Sequence, residues 1–381
     1  MHFFTSITTN YLPKARVLAR SIKHHCKDSY FSLVVSDRLP DDFNIEHEPF
    51  DEIVYVEDLN IPVNNLNMWI FMHTVVEICT AVKGQAIYNF LHRGLYDKVI
   101  YLDPDIVVFD DLSQLENLLS QHSVILTPHL TEPEKTIQAI ADNEQCALMH
   151  GVYNLGFIAV RNSAAGLEFA GWWRDRLVEF CYDDIPHGIF TDQRWVDLAP
   201  ALFEDIFILR DASYNVSTWN LTHRNVTKSK DNIYYVNGKP LQFYHFSGFD
   251  SGAQESMLNK YGEGNEALLE LRENYIKAQD EAGQQQLGKR ESIYAYFDNG
   301  EKITNEQRVL LRTRKDLLDF FSKTNPFIVT KDYICYHNWY FQEHANKPDE
   351  KDARIQQLEN EVKMLRKYLA PLIKIKHMFK R

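Results

Sequence analysis

A chain of 381 residues and 44.7 kDa is long enough for two or three compact units, one with a substantial core, and too long for a small stapled scaffold. Its 45% apolar and 25% charged residues exclude a disordered or fibrous protein. The 41 Lys and Arg against 53 Asp and Glu leave a formal charge of -12, which repels a phosphate backbone and argues against nucleic acid as a partner. Cysteines at 26, 79, 146, 181 and 335 are odd in number and contain no CxxC pair, so they read as mostly buried free thiols. The first residues are strand-like and lack the basic segment and apolar stretch of a signal peptide, which makes the cytosol the expected compartment. Asn-X-Ser/Thr triplets at Asn215, Asn220 and Asn225 then read as chance. The span from Met68 to Leu91 is broken by His73, Glu77 and Lys83, short of the roughly 18 uninterrupted apolar residues of a membrane helix.

In chain order, β-rich runs fall at His2 to Thr9, Phe31 to Asp37, Ile53 to Val56, Val99 to Leu102, Val124 to Pro128 and Phe157 to Arg161. Helical patterns alternate with them, which predicts an α/β fold with a mixed, mostly parallel sheet flanked by helices. A helix begins near Pro13, a residue suited to a first turn, and lines up Val17, Leu18, Ser21 and Ile22. Trp69 to Leu91 predicts one or two helices, and Ala164 to Phe180 another. The pattern changes near residue 250. Residues 1–250 are expected to form the sheet domain, and 251–350 a helical accessory region with helices over Glu266 to Gln286 and Asn305 to Phe321 and a turn at Asn299 and Gly300. Residues 351–381 form a tail: Ile355, Leu358, Val362, Leu365 and Leu369 make a short heptad seam ending before Pro371, and seven Lys or Arg with no acid follow from Lys363. The tail fits an oligomerising helix, a peripheral contact with anionic lipid, or a solvated terminal helix.

Val99 to Phe109 holds the chemistry. An apolar strand turns abruptly into Asp103-Pro104-Asp105, and Pro104 lacks the amide that would continue a ladder, so both carboxylates belong at a strand end. Ligands of α/β sheets bind there. Two carboxylates held close repel unless a cation lies between them, and hard oxygen donors suit Mg²⁺ or Mn²⁺; a solvated Asp-Pro-Asp turn is the alternative.

With this motif the chain resembles GT-A fold glycosyltransferases carrying a DXD motif, and among them the retaining family eight that includes glycogenin and bacterial lipopolysaccharide galactosyltransferases. The resemblance runs over residues 2–250 through landmarks in order. Thr8-Thr9-Asn10-Tyr11 resembles the nucleotide loop, Lys83 the basic residue that reaches the donor, and Tyr101 to Asp105 the metal motif. Tyr153-Asn154-Leu155-Gly156 resembles the donor-sugar loop, Asp192-Gln193 the Asp-Gln pair beneath the sugar, and Tyr244 to Gly248 the strand end whose His245 completes the metal shell and whose Gly248 admits the diphosphate. Two positions depart from the family: Thr8 stands where an acid is usual, and Phe249-Asp250-Ser251 stands where a Lys follows the glycine. Lys260 is then the candidate replacement cation.

The resemblance implies Asp103, Asp105 and His245 as metal ligands, Asp192 and Gln193 as catalytic residues, and Thr8, Asn10, Tyr11, Lys83, Asn154, Gly156, Gly248 and Lys260 on the donor. It implies transfer of a hexose from a nucleotide sugar, UDP-linked, to a saccharide or lipid-linked saccharide with retention. Bacterial surface polysaccharide assembly, at the inner face of the cell membrane, is the expected setting. Each residue also has a structural reading: Tyr11 as corner packing, Lys83 as a solvated helix residue, His245 as a core histidine, Asn154 and Gly156 as a turn, and Asp192 as a helix N-cap. Trp172, Trp173 and Trp195 read as core, with one ring available as an acceptor platform. His24, His25 and His92 have no metal-ligand spacing. No GxGxxG, P-loop, GxSxG or HExxH occurs. The alternatives are a nucleotidyltransferase, for which a basic phosphate loop near residue 10 is missing, and a degenerate scaffold acting through its C-terminal helices.

Overall fold

A computed structural model describes residues 1–331 and 334–343. These fall into two compact units, Met1–Tyr296 and Phe297 onward. The heptad seam and basic tail of 351–381 lie outside the described residues. Among the described residues no helix is long and apolar enough to cross a membrane.

The first unit is built on a seven-stranded sheet of β1 (His2–Ile7), β2 (Tyr30–Val35), β3 (Glu52–Tyr55), β4 (Lys98–Leu102), β6 (Val124–Pro128), β7 (Tyr153–Arg161) and β8 (Ile206–Ile208), in the order β8-β6-β7-β4-β1-β2-β3. All neighbours pair in parallel except β7, which runs antiparallel to both β4 and β6. Alternation along β1 sorts its side chains to the two faces. Phe3 and Ile7 join Leu12, Ala15, Leu18 and Ile22 of α1 (Leu12–His25), whereas Phe4 packs on Phe90 of α3 (Val75–Arg93). The stretch from Trp69 to Leu91 is two helices, α2 (Leu66–Met72) and α3, because Thr74 caps α3 with a reciprocal Thr74–Glu77 box and so terminates α2. Helix α4 (Ala164–Phe180) lies tight against α3. A Cβ on Gly84 would stand 2.8 Å from the Arg174 Cα, so only glycine permits the approach.

A short ribbon carries the functional end of the sheet. Strand β5 (Ile106–Val108) leaves the sheet after Pro104 and pairs antiparallel with β9 (Phe243–His245), setting Ile106 opposite His245. Beyond it, α5 (Ala253–Tyr261) and α6 (Glu266–Glu281) pack within the same unit, with Leu258, Leu268, Leu271 and Tyr275 beside Tyr244 and Phe246 in one core. Arg16 of α1 also donates to the Ala282 carbonyl at 2.7 Å. The expected division at residue 250 therefore falls inside this unit, and the structural boundary follows Tyr296, next to the Asn299–Gly300 turn. Apolar side chains on α5 and α6 bury against the β9 region and hold these helices to the sheet unit.

The second unit contains α7 (Asn305–Thr313), α8 (Lys315–Phe321) and α9 (Tyr336–Glu343). Thr304 and Gln307 form a capping box at the start of α7, and Tyr336 donates to the Gln307 carbonyl at 2.6 Å. All five cysteines are free thiols; Cys26, Cys181 and Cys335 are buried, while Cys79 and Cys146 are half-buried.

Candidate active site

Two pairings converge on the C-terminal end of β4. Antiparallel β7 places Phe157 opposite Leu102, so its first residues, Asn154 to Gly156, lie beside Asp103, and the Asp103 amide donates to the Gly156 carbonyl at 2.7 Å. The β5–β9 ribbon then sets His245 against Asp105, with the Phe246 amide donating to the Asp105 carbonyl at 2.9 Å. Donor atoms of Asp103, Asp105 and His245 consequently lie within 4.8 Å of one another. His245 Nε2 is 3.1 Å from Asp105 and 3.7 Å from Asp103. Asp103 and Asp105 are half-buried and not solvated like a surface turn, and His245 is buried.

The donor set fits a hard divalent cation. His245 Nδ1 lies 3.2 Å from the Asn215 Oδ1, an acceptor that keeps the proton on Nδ1 and leaves the Nε2 lone pair facing the two carboxylates. Gly156 makes room for this ring: a Cβ there would fall 2.4 Å from the His245 Cε1 and 2.8 Å from the Asn154 Oδ1. Burial raises the Asp105 pKa, but His245 outweighs it and the carboxyl lies below its ordinary value. Burial likewise opposes charge on His245, and Asp105 and Asp103 overcome it, so its pKa is raised.

Behind the carboxylates stands Lys83 of α3, buried. Its Nζ is 2.9 Å from Asp192, 3.3 Å from Asp103 and 3.1 Å from the Leu155 carbonyl, and it lies over the Tyr101 ring at 4.2 Å. Burial penalises this ammonium, yet Asp103 and Asp192 more than compensate and raise its pKa. Asp192 is buried too and has a raised pKa, with burial exceeding the opposing pull of Lys83. Its side chain makes no helix-cap bond to the Gln193–Val196 turn; it faces Lys83 instead. The preceding Thr191 is held at φ 43°, a region rarely adopted by a β-branched residue and therefore a local strain at the site. Gln193 donates to the His150 carbonyl at 2.8 Å, and its Oε1 lies 3.4 Å from the Leu155 amide.

Two cavities meet at Asp103. One of about 250 Å³ is lined by Thr8, Asn10, Tyr11, Pro104 and Asp105; the other, of about 400 Å³, by Lys83, Asn154, Asp192, Gln193, Trp219 and His245. Thr8 donates to Asn10 at 2.7 Å, and Tyr11 donates to Asp250 at 2.7 Å. Asn154 accepts from Asn215 and from the Gly156 amide. Gly248 adopts φ 74° in the turn after β9.

Lys260 is placed elsewhere. It pairs with Asp142 and lines neither cavity, which its exposed position on α5 explains. The buried cation beside the loop after Gly248 is Lys14 of α1, 2.5 Å from Asp250 and 4.1 Å from the Tyr11 ring. Trp172, Trp173 and Trp195 do not line the larger cavity. Trp173 donates to the Asp192 carbonyl, Trp195 to that of Phe180, and Trp172 packs on Phe203. Trp219 and Phe190 line that cavity instead, and the Trp219 ring meets His129 and His245 edge-on. Sequence reasoning missed Lys14, Trp219 and Asn215. The first two carry no local pattern, and Asn215 lay inside a triplet that reads as chance; it is buried at φ 51°.

No protein-family model matches the chain. Two uncharacterised proteins of Bacillus subtilis (strain 168) are similar to it. YfnD is 25% identical over 253 residues, covering 65% of this chain and 78% of YfnD. YfnF is 29% identical over 183 residues, covering 45% of this chain and 57% of YfnF, so the match spans little more than half of that protein. Solved structures similar to the chain include galactosyltransferase LgtC in complex with donor and acceptor sugar analogs, with TM-score 0.41 and 16% identity over 74% of this chain and 96% of that one. Glycosyltransferase GlyE of Streptococcus pneumoniae TIGR4 has TM-score 0.40 and 16% identity over 78% of this chain and 66% of its own. Mouse xyloside xylosyltransferase 1 has TM-score 0.38 and 13% identity over 65% and 97%.

Proposed function

We propose that the protein is a metal-dependent glycosyltransferase that moves a sugar from a nucleotide-sugar donor, UDP-linked, to a saccharide acceptor with retention. The observation that carries this reading is the convergence of Asp103, Asp105 and His245 at the joint of two cavities, with the Lys83–Asp192 pair alongside. A binding module has no need of two half-buried carboxylates, a buried imidazole and a buried ammonium at one opening.

The nucleoside would occupy the smaller cavity, against Thr8, Asn10 and Tyr11, and the sugar the larger one. Asp103, Asp105 and His245 would hold Mn²⁺ or Mg²⁺, which when bound neutralises the diphosphate as a Lewis acid. Lys83 adds fixed positive charge where the leaving phosphate accumulates negative charge. Asp192 and Asn154 accept and donate hydrogen bonds to the sugar hydroxyls and fix the ring. As the bond from the anomeric carbon to the phosphate oxygen breaks, the acceptor oxygen attacks from the same face and its proton passes to that phosphate. Gln193 Oε1 stabilises the cationic ring carbon; an amide is too weak a nucleophile for a covalent intermediate.

Hydrolysis of UDP-glucose, UDP-galactose and UDP-N-acetylglucosamine, with and without Mn²⁺, tests the reading. Metal-dependent UDP release by the wild type and its loss in Asp105→Ala are expected. No release from any donor, with no thermal shift on adding UDP and Mn²⁺, overturns it in favour of the scaffold.

A further inference from the structure

A third cavity, of about 380 Å³, shares no lining residue with the two at the metal cluster. It opens between the segment after Trp219 and the start of α6, and its wall includes Arg224, Asn225, Asn237, Glu263 and Asn265. Arg224 is only 4% exposed. Its Nη1 donates to the Tyr214 carbonyl at 2.6 Å, its Nε meets no acceptor among the described residues, and no carboxylate among them lies within ion-pair distance. The other deeply buried cations of this unit behave differently: Lys14 is matched by Asp250, and Lys83 by Asp192. Arg224 keeps its charge at neutral pH, and a buried charge without a counter-ion beside an open polar cavity attracts an anion. Burial lowers the Arg224 pKa to about 9, with Asp211 offsetting only part of the cost because it is engaged by Lys239 at 2.6 Å.

The surroundings select the ligand class. His223 is already occupied by Glu134 at 3.3 Å and Glu132 at 3.8 Å. Asn265 caps α6, a sixteen-residue helix whose N-terminal amides and dipole favour negative charge at this mouth. Of the wall's amide side chains, Asn237 and Asn265 already donate to the His223 and Val226 carbonyls, which leaves Asn225 beside Arg224; the exposed Glu263 would repel an anion and tune its affinity. We propose that this cavity is an oxyanion site, binding a phosphate or carboxylate group through Arg224. The group is either a free ion or one carried on a saccharide. The site is independent of the transferase reading.

Calorimetric titration of the metal-free full chain with inorganic phosphate, at ionic strength matched with chloride, tests it. Saturable binding is expected, weakened about tenfold or more in Arg224→Gln. Glu263→Gln removes an exposed charge without touching the core and is expected to tighten binding roughly twofold to fivefold; it keeps the test decisive if Arg224→Gln does not fold. Glucose 1-phosphate binding more tightly than phosphate, with glucose inert and the gain lost in Arg224→Gln, identifies a sugar-borne group; equal affinity identifies the free ion. Absence of saturable binding, wild-type affinity in Arg224→Gln, or no response to Glu263→Gln overturns the proposal. Failure of UDP-sugar turnover leaves this isotherm unaltered, so the two readings fail separately.

Discussion

Lys83 Nζ sits 2.9 Å from Asp192 Oδ2, joining the middle of a helix to a strained turn far along the chain, with both side chains almost wholly buried. Breaking a buried pair from one side leaves an uncompensated charge, typically worth about 3–5 kcal/mol. Lys83→Met abandons two carboxylates, Asp192 and Asp103, and is expected near the upper end of that range. Asp192→Asn still leaves Asp103 for the ammonium and is expected to cost less stability while removing turnover. Urea denaturation of both variants checks the order; equal losses would mean that Asp103 contributes nothing to holding Lys83.

Metal binding should raise the melting temperature through mass action, and that rise should vanish in Asp105→Ala and His245→Ala. Asn215→Ala leaves all three ligands in place but frees the His245 ring, so a weakening of Mn²⁺ affinity by roughly 10–100-fold is expected. Calorimetry with Mn²⁺ measures it. Unaltered affinity would show that Asn215 does not orient the imidazole.

Gly156→Ala introduces a methyl 2.4 Å from the His245 ring, which must shift. Overpacking of this kind costs about 1–3 kcal/mol, and here the displaced group is a ligand. The variant is expected to fold, to melt lower, and to lose its Mn²⁺-induced stabilisation. Retention of the full metal response would contradict the placement of His245.

Acid should destabilise the protein partly through His2. Its ring packs against Phe90 and lies 2.8 Å from the Ser32 hydroxyl; burial lowers its pKa to about 4. The unfolded chain, with an ordinary histidine pKa near 6.5, therefore takes up the proton first. Stability from this group is complete above about pH 6.5 and is lost as the pH falls towards about 4. His2→Gln should flatten that part of the profile, measured as melting temperature against pH relative to the wild type. Parallel profiles would exclude His2 as a source of acid sensitivity.

The sequence alone determined what local pattern can encode. Alternation and apolar runs marked every strand from His2 to Arg161 that the central sheet uses there, and the loss of a ladder amide at Pro104 marked where the chemistry begins. The Asn299–Gly300 turn was equally visible, but its standing as a unit boundary was not: whether 251–296 belongs to the sheet unit depends on Leu258, Leu271 and Tyr275 finding partners on another segment. The site divides in the same way. Asp103 and Asp105 are two residues apart and legible as a pair. That His245 faces Asp105 follows only from antiparallel β5–β9 pairing, and that Asp192 holds Lys83 only from the packing that brings the Thr191–Asp192 turn, tied to α4 through Trp173, against α3. Lys260 and Lys14 make the contrast sharpest: both are lysines near suitable loops, and burial beside Asp250 in one and an exposed pairing with Asp142 in the other are settled by tertiary contacts. Period and turn chemistry act over a few residues and are written in the chain, whereas the field at a buried charge depends on every group that packing brings within a few ångströms of it.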